Sequence, residues 1–356
     1  MGIYRKRMVS ERFAQKLRAQ GFLAIDTHAH TSYSYDVASV KKTSPEVVTN
    51  AERSKGLIPV ITDHDTMDGY RYLRSKRLHR DIIPAVEIRI KPVHARKISG
   101  IGKIHTLHVN VFGLNMKQFR ILEHIAQKEE DIDAFINYLR DEQLKWTYNH
   151  PFWHENHEKL NWRAVPLLAR HYFDILEINS NRSLILNNLT MNIAEKLGKG
   201  IVASTDTHTG NPGLAYVLAP GKTFDECWNN IIQRKMYIVR KDLTALMVVR
   251  EASEIISQIF SANSREMQEK KFSMASGIKP LDRLASRVSY GNLKNHYAIK
   301  HLIKNALHAI NYSVGPLMAW YLYTHKQDVY GQRIHRPIMQ GLRQKNIHPM
   351  QEFSEN

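Results

Sequence analysis

Histidines and carboxylates recur in this sequence directly after short apolar segments, at spacings that suit a metal site. His28 and His30 follow the first such segment, and Asp206 and His208 follow the last one. In an extended chain, residues i and i+2 point to the same side, so both members of a pair can reach one ion. Single candidates lie on or after the segments between these pairs: Asp63, His64, Glu87, His108 and His150.

The number and placement of these residues support a metal site more strongly than any one of them alone. One histidine beside a strand end is more often an ordinary hydrogen-bonded residue than a ligand. Here each candidate lies at or near the end of a predicted strand. Imidazoles with a few carboxylates are typical ligands of Zn, Mn or Fe. Sites with three histidines and a water, and sites with two metals bridged by a glutamate, both use them. The joint pattern therefore predicts a site for divalent metal ions.

The elements that position these residues are seven short apolar or β-branched segments, which we predict to be strands. They span residues 23–27, 58–62, 82–86, 105–112, 146–148, 173–178 and 200–204. Several connections have helical character; in residues 44–54, Ser44 is the predicted N-cap and Pro45 takes the first helical position. Strands that alternate with helices favour an α/β fold with a largely parallel sheet. Functional residues at strand ends favour a TIM-like barrel.

The composition is that of an ordinary soluble protein. Of 356 residues, 43% are hydrophobic and 24% are charged, which excludes collagen-like, coiled-coil and disordered classes. The longest apolar stretch, residues 314–323, has about half the length of a membrane-spanning helix, so no transmembrane segment is predicted. The basic N-terminal segment lacks the apolar core of a secretory signal. The single cysteine, Cys227, cannot form an internal disulfide and is expected to be packed, which fits a cytoplasmic protein.

Positive charge is concentrated at the two ends of the chain. The net charge is +17. Residues 1–22 carry six Lys and Arg against one acidic residue, and residues 251–356 carry fourteen against eight. We therefore expect a basic N-terminal helix at 1–22, an α/β barrel at 23–250 and a basic, mainly helical region at 251–356. A charge balance of this kind attracts polyanions.

The basic C-terminal region allows three interpretations. It is a helical appendage with a solvated cationic face, a nucleic-acid arm, or an interfacial helix that meets anionic lipid or a partner protein. In a nucleic-acid arm, cations would meet phosphates and aromatic rings would stack on bases. The candidates for these contacts are Lys294, Lys300, Lys304, Arg333, Arg336, Arg343, Trp320, Tyr321 and Tyr323. The sequence leaves the three interpretations open.

Six segments resemble the motifs of one known family, the PHP (polymerase and histidinol phosphatase) superfamily. Residues 26–36, Asp-Thr-His-Ala-His-Thr-Ser-Tyr-Ser-Tyr-Asp, resemble its first motif, His-x-His-Thr-x-x-Ser-x-Asp. Residues 61–66, Ile-Thr-Asp-His-Asp-Thr, are similar to the second motif almost letter for letter. The later motifs are resembled, in the family's order, by residues 84–88, 108–114, 149–151 and 200–208. The resemblance covers residues 23–220.

The resemblance implies a distorted seven-stranded β/α barrel of PHP type with two or three divalent metal ions at the carboxyl ends of its strands. Carried over by motif, the first metal would be held by His28, His30, Glu87 and Asp206. The second would share Glu87 with the first and would be completed by His108 and His150. The third would be held by His64 and His208. The metal would be Mn, Zn or Fe.

The first motif departs from the family in the loop after His30. Members of the histidinol-phosphatase type place a further histidine there, where this chain has Ser34, Tyr35 and Asp36. This difference leaves the third metal weaker, labile or absent, and it argues against histidinol phosphate as the substrate. The resemblance assigns Asp36 and Asp63 to the catalytic site, as residues that orient imidazoles or act as part-time ligands.

Such a ligand set implies metal-dependent hydrolysis of phosphate esters. Two or three divalent ions would neutralise the phosphoryl group and lower the pKa of a shared water that attacks phosphorus in line. Arg182 and His154 are candidates for binding the non-reacting oxygens of the substrate. The charge and the missing histidine favour nucleotides or short oligonucleotides. A phosphatase of a small metabolite, or a non-catalytic scaffold with a nucleic-acid-binding tail, stay open as alternatives.

Overall fold

The computed structural model describes residues 2–95, 105–154, 158, 160–241, 243–261, 297–313, 317 and 329–343. The strands in these ranges are β1 (Phe22–Ile25), β2 (Val60–Ile61), β3 (Ile83–Ile90), β4 (Leu107–Phe112), β5 (Lys145–Tyr148), β6 (Ile175–Asn179), β7 (Gly200–Ser204), β8 (Tyr216–Pro220) and β9 (Tyr237–Val239). The helices are α1 (Ile3–Lys6), α2 (Glu11–Ala19), α3 (Pro45–Ser54), α4 (Asp68–Ser75), α5 (Met116–His124), α6 (Ile132–Asp141), α7 (Ala164–Tyr172), α8 (Leu184–Leu197), α9 (Phe224–Ile232), α10 (Ala245–Ser261), α11 (Tyr297–Ser313) and α12 (Val329–Arg343). The candidates Lys294, Trp320, Tyr321 and Tyr323 lie outside the described residues.

Each of the seven predicted segments overlaps a strand, but these strands are divided between two sheets. Six of them form a curled half-barrel sheet in the order β2-β3-β4-β5-β6-β7. The first, β1, instead pairs antiparallel with β8, which in turn pairs with β9. Isolated bridges still connect the β1 segment to its neighbours, from Ile25 to Ile58 and from Ala29 to Thr207. The mixed α/β class is therefore present, with the first strand set apart from the main sheet.

The six-stranded sheet is mixed, which corrects the expectation of a largely parallel sheet. The pairs β2–β3, β5–β6 and β6–β7 are parallel, whereas β3–β4 and β4–β5 are antiparallel. Strand β4 is buried along its whole length. The burial pattern of a strand that is covered on both faces does not depend on the direction of its neighbours. The sequence of β4 therefore did not indicate whether it pairs parallel or antiparallel.

One large hydrophobic core holds the sheet and its helices together. Strands β6 and β7 are fully buried, and α8 packs against β6. Helix α12 joins this core through Ile334, Ile338 and Leu342. Burial of each such aliphatic side chain stabilises the fold by about 1.5–3 kcal/mol. None of the described helices is both long and apolar enough to cross a membrane.

The predicted start of α3 is confirmed, and the end of α8 has a clear physical cause. The Ser44 side chain accepts a hydrogen bond from Val47 N, and Pro45 takes the first position of α3. Helix α8 ends at Gly198, whose φ of 69° lies in the left-handed region that glycine adopts without strain. The start of α3 ends the loop region that follows β1, whereas Gly198 ends α8 just before β7.

Candidate metal centre

Backbone bridges beyond the strand ends bring the ligand candidates together. Ala29 forms a parallel bridge with Thr207, so the pair around Ala29 lies beside the pair around Thr207. The hydrogen bond from His30 N to Thr207 O, 3.1 Å long, fixes this contact. A second bridge joins His64 to Glu87. Four chain segments that are distant in sequence therefore present their polar side chains to one buried space.

Glu87 lies at the centre of the cluster and is fully buried. Its Oε2 contacts three imidazoles, at 2.9 Å (His28 Nε2), 3.3 Å (His30 Nε2) and 3.0 Å (His64 Nδ1). Its Oε1 contacts two others, at 3.0 Å (His108 Nδ1) and 3.5 Å (His150 Nε2). The two oxygens thus contact different sets of histidines, an arrangement that suits a carboxylate shared by two metal ions.

The first predicted ligand group is close-packed around Glu87. The Nε2 atoms of His28 and His30 lie 3.0 Å apart. Asp206 Oδ1 lies 3.6 Å from the former and 3.2 Å from the latter. The Nε2 atoms of His28 and His30 and the carboxylates of Glu87 and Asp206 converge on one point. A divalent cation at this point would bind all four side chains.

His64 and His208 meet at Asp36. Asp36 Oδ2 lies 2.8 Å from His208 Nε2 and 3.4 Å from His64 Nε2. The ligand atoms of His30, His64 and His208 also lie within 4.8 Å of one another. Asp36 therefore lies beside the third predicted ligand group, in the loop after His30.

Asp63 contacts the loop after β1 and does not reach the ligand atoms of the cluster directly. Its Oδ1 accepts hydrogen bonds from Thr31 N at 2.7 Å and from Ser34 Oγ at 3.2 Å. Ser34 Oγ lies 3.0 Å from His30 Nδ1. Asp63 thus acts on the orientation of His30 through Ser34.

Of the two substrate-binding candidates, Arg182 contacts a predicted metal ligand, Asp206. Arg182 Nη2 donates to Asp206 Oδ2 at 2.7 Å, and its guanidinium lies 3.8 Å above the centre of the Trp153 ring. Burial lowers the pKa of Arg182, but a guanidinium remains charged in proteins. His154 is half-buried; burial lowers its pKa and the charge of Glu158 partly opposes this.

Two carboxylates that the motifs did not indicate also contact the histidines. Glu177 Oε1 lies 2.8 Å from His28 Nδ1, and Glu177 Oε2 accepts a hydrogen bond from His150 N at 2.8 Å. Glu158 Oε2 lies 2.9 Å from His108 Nε2. Glu177 is a charged residue in a fully buried strand, and this unusual placement was a signal in the sequence. Glu158 lies in a loop and gave no such signal.

Opposite charges in the cluster outweigh the effect of burial on protonation. Burial alone would raise the pKa of Glu87, but the charges of His28 and His64 hold it well below its usual value. Burial alone would lower the pKa of His108, but hydrogen bonds to Glu158 and Glu87 raise it to about 9. These imidazoles therefore favour the ionised form of the central carboxyl group.

Potential ligand atoms of the cluster that lack a hydrogen-bond partner suit the binding of divalent metal ions. Within the described part of the chain, His150 Nδ1 and Asp36 Oδ1 are buried without a hydrogen-bond partner. Buried polar atoms in proteins nearly always have one. His150 and Asp206 also have positive φ angles of 25° and 55°, and such backbone conformations concentrate at functional sites. Imidazole and carboxylate ligands suit Zn, Mn and Fe.

Comparison with known proteins found similarity among solved structures. No family model matches the sequence, and no curated protein is similar to it. PsfC from Pseudomonas syringae has 15% identity and a TM-score of 0.47, over 65% of this chain and 96% of that one. A two-domain protein from Bacteroides vulgatus that contains a predicted PHP-like metal-dependent phosphoesterase has 14% identity and a TM-score of 0.42, over 62% of this chain and 65% of that one. A lesion-specific endonuclease from Pyrococcus furiosus has 13% identity and a TM-score of 0.42, over 86% of this chain and 91% of that one.

Proposed function

We propose that this chain is a metal-dependent phosphoesterase that hydrolyses phosphate esters of nucleotides or short oligonucleotides. The observation that carries the proposal is the position of Glu87 between two sets of imidazoles, with Oε2 facing His28 and Oε1 facing His108. A carboxylate shared in this way, in a largely buried cluster, suits two divalent ions. The resemblance of the motifs to the PHP superfamily supports the same activity.

The ligands of the ions are assigned from these contacts. One ion would be held by His28, His30, Glu87 and Asp206. A second would be held by Glu87, His108 and His150. A third would be held by His64 and His208, with Asp36 as a further ligand in place of the missing histidine. Bound Mn, Zn or Fe ions would supply a water of lowered pKa and positive charge for the phosphoryl oxygens.

The protein's own side chains orient these ligands and bind the substrate. Glu177 holds the imidazole of His28 from the Nδ1 side, and Asp63 orients His30 through Ser34. Arg182 presents a fixed positive charge beside Asp206, where it would bind a non-reacting phosphoryl oxygen. His154 would bind the substrate from the rim of the site.

We further propose that residues 23–250 form the catalytic unit of a cytoplasmic protein. Residues 1–22 and 251–356 would then be basic additions to it. On α12, Arg333 and Arg336 are exposed while Ile334 and Ile338 are buried. A solvated cationic face of this kind favours the interpretation of the C-terminal region as an appendage packed on the catalytic unit, and it also suits contact with a nucleic-acid substrate.

Metal analysis combined with phosphate release tests the proposal. Purified protein is expected to contain at least two Mn, Fe or Zn ions per chain. It is also expected to release phosphate from mononucleotides or 5′-phosphorylated oligonucleotides with Mn added. His30→Ala and Asp206→Ala should abolish turnover without loss of the folded state. His124→Ala, which removes an imidazole that is 64% exposed, is the matched control.

The outcomes separate the alternatives. Turnover confined to a small metabolite phosphate would keep the chemistry and refute the nucleotide substrate. Protein that binds no metal and hydrolyses nothing would favour a non-catalytic scaffold. Activity that survives His30→Ala would refute the assignment of the site.

A further inference from the structure

Two aromatic rings border the Glu87 cluster, which consists of Glu87 and the five imidazoles that contact it. The ring of Tyr35 lies 4.9 Å from the ring of His64, which contacts Glu87 Oε2. The ring of Trp153 lies 4.9 Å from the ring of His150, which contacts Glu87 Oε1. Both aromatic side chains are half-buried, so each borders the cluster and also reaches solvent.

Each ring carries an arginine over its face. Arg89 Cζ lies 4.8 Å from the centre of the Tyr35 ring, and Arg89 Nη1 donates to Tyr35 Oη at 3.2 Å. Arg182 Cζ lies 3.8 Å from the centre of the Trp153 ring. We refer to these as the Tyr35–Arg89 pair and the Trp153–Arg182 pair.

Carboxylates hold both guanidinium groups in place. Arg89 Nε and Nη2 each lie 2.7 Å from Asp65 Oδ2, and Arg182 Nη2 lies 2.7 Å from Asp206 Oδ2. The contact with Asp206 uses only some of the five N–H donors of the Arg182 guanidinium. Arg182 Nε is buried and has no hydrogen-bond partner within the described ranges, so it has a donor available for a ligand.

An arginine stacked on an aromatic ring beside a phosphoryl site matches the chemistry of a nucleotide. Bases stack on aromatic rings and on guanidinium planes, and N–H donors bind phosphate oxygens. A small metabolite phosphate has no base that would use either surface. One pair would suffice for a mononucleotide, whereas two pairs that border the cluster suit two bases with a phosphate between them.

We propose, on the basis of the proposed function, that the substrate is a single-stranded oligonucleotide and that the scissile phosphorus is a phosphodiester. One base lies on the Tyr35–Arg89 pair and the neighbouring base lies on the Trp153–Arg182 pair, so that the linking phosphate lies at the cluster. In the reaction the water oxygen forms a bond to phosphorus and the bond from phosphorus to one ester oxygen breaks. One proton of the water passes to that leaving oxygen and the other to solvent, which leaves a phosphomonoester and a free hydroxyl.

Stacking at each side can be measured separately with 2-aminopurine, whose fluorescence falls when it stacks. Two dinucleotides, with the probe on the 5′ or on the 3′ nucleoside, are mixed rapidly with metal-loaded protein so that binding is recorded before turnover. We expect quenching at both positions. Tyr35→Leu should remove it at one position and Trp153→Leu at the other, and each should weaken binding on the order of tenfold. Trp153→Phe should restore the stacking that Trp153→Leu removes.

The matched control is Phe13→Leu, which removes an aromatic ring that is 43% exposed on α2, outside the cluster. It should leave quenching intact at both positions. Quenching at only one position in the wild-type protein would overturn the two-base proposal. Quenching that survives both Leu variants would overturn the assignment to these pairs. Phosphate release from mononucleotides without cleavage of dinucleotides would overturn the phosphodiester substrate while the proposed function stands.

Discussion

Glu177 and Glu87 hold the imidazole of His28 from opposite sides. Glu177 Oε1 lies 2.8 Å from His28 Nδ1, and Glu87 Oε2 lies 2.9 Å from His28 Nε2. Glu177 also accepts a hydrogen bond from His150 N, so one carboxylate fixes ligand candidates on both sides of Glu87. An acceptor at Nδ1 fixes the tautomer that leaves Nε2 free to bind a metal.

The first prediction is that Glu177→Gln weakens metal binding without unfolding the protein. The amide retains the size of the carboxylate but loses the negative charge that supports His28 as a ligand. Loss of such a partner typically costs about 10–100-fold in metal affinity. Affinity for Zn is measured by competition with a chromophoric chelator. Glu142→Gln, at an exposed position, is the control, and equal affinities in the wild type and Glu177→Gln would contradict the prediction.

Helix α10 contacts the loop that carries His208, and this contact gives the second prediction. Thr209 Oγ1 donates to Glu251 Oε2 at 2.8 Å, and Gln258 Nε2 donates to Thr209 O at 2.9 Å. These bonds fix the residue directly after His208. We expect the double variant Glu251→Ala, Gln258→Ala to lose about tenfold in affinity for the most weakly bound metal ion, because His208 is no longer held in place.

The control for this variant lies on the same helix. Arg250 is exposed on this helix, so Arg250→Ala should leave the metal affinities unchanged. Metal titration by calorimetry resolves the successive ions. A uniform loss of affinity for all ions, or none, would show that α10 does not position His208.

The sequence indicated which residues converge better than it indicated the architecture that brings them together. The i, i+2 spacing of His28 and His30 is a local property of extended chain, and the structure places both at one point. The separation of β1 from the six-stranded sheet depends on its pairing with β8. Strand β8 follows the last motif and was not predicted, and nothing in the apolar sequence of β1 indicates an antiparallel partner.

The contacts of single side chains were less predictable still. Asp63 follows a strand as the ligands do, yet its carboxylate accepts hydrogen bonds from Thr31 and Ser34. Glu158 reaches His108 from a loop, where no periodicity constrains the direction of a side chain. Spacing in the sequence indicates which backbone positions converge, but the partner of each side chain is decided by packing.

The third prediction concerns Cys227, which is buried in the core and has no disulfide partner. Burial raises the pKa of its thiol to about 12, so the reactive thiolate is scarce at neutral pH. We expect native protein at pH 8 to release no thionitrobenzoate in the first minutes of reaction with Ellman's reagent. In guanidinium chloride it should release one equivalent per chain. Rapid release from the native protein would show that α9 opens readily.

The fourth prediction follows from Glu52, a fully buried carboxyl on α3. Its Oε2 accepts a hydrogen bond from Val60 N at 3.2 Å, and its Oε1 has no hydrogen-bond partner among the described residues. Burial, and then the charge of Asp26, raise the pKa of Glu52 well above its usual value. The folded protein therefore keeps this carboxyl protonated at pH values where the unfolded chain has already lost the proton.

The sign of the effect on stability follows from this difference in proton binding. Well below pH 4 the carboxyl of Glu52 is protonated in both the folded and the unfolded state, so it adds no pH dependence. As the pH rises through the unfolded value of about 4.3 toward the folded one, the unfolded state is favoured and the free energy of unfolding falls. Glu52→Gln cannot ionise, so its stability relative to the wild type should rise by about 1 kcal/mol or more between pH 4.5 and pH 7. Urea unfolding of both proteins in chelator measures this difference, in which the titration of the histidine cluster cancels. Asp141→Asn, at an exposed position, is the control and should show no such rise, and a constant difference for Glu52→Gln across this range would refute a raised pKa.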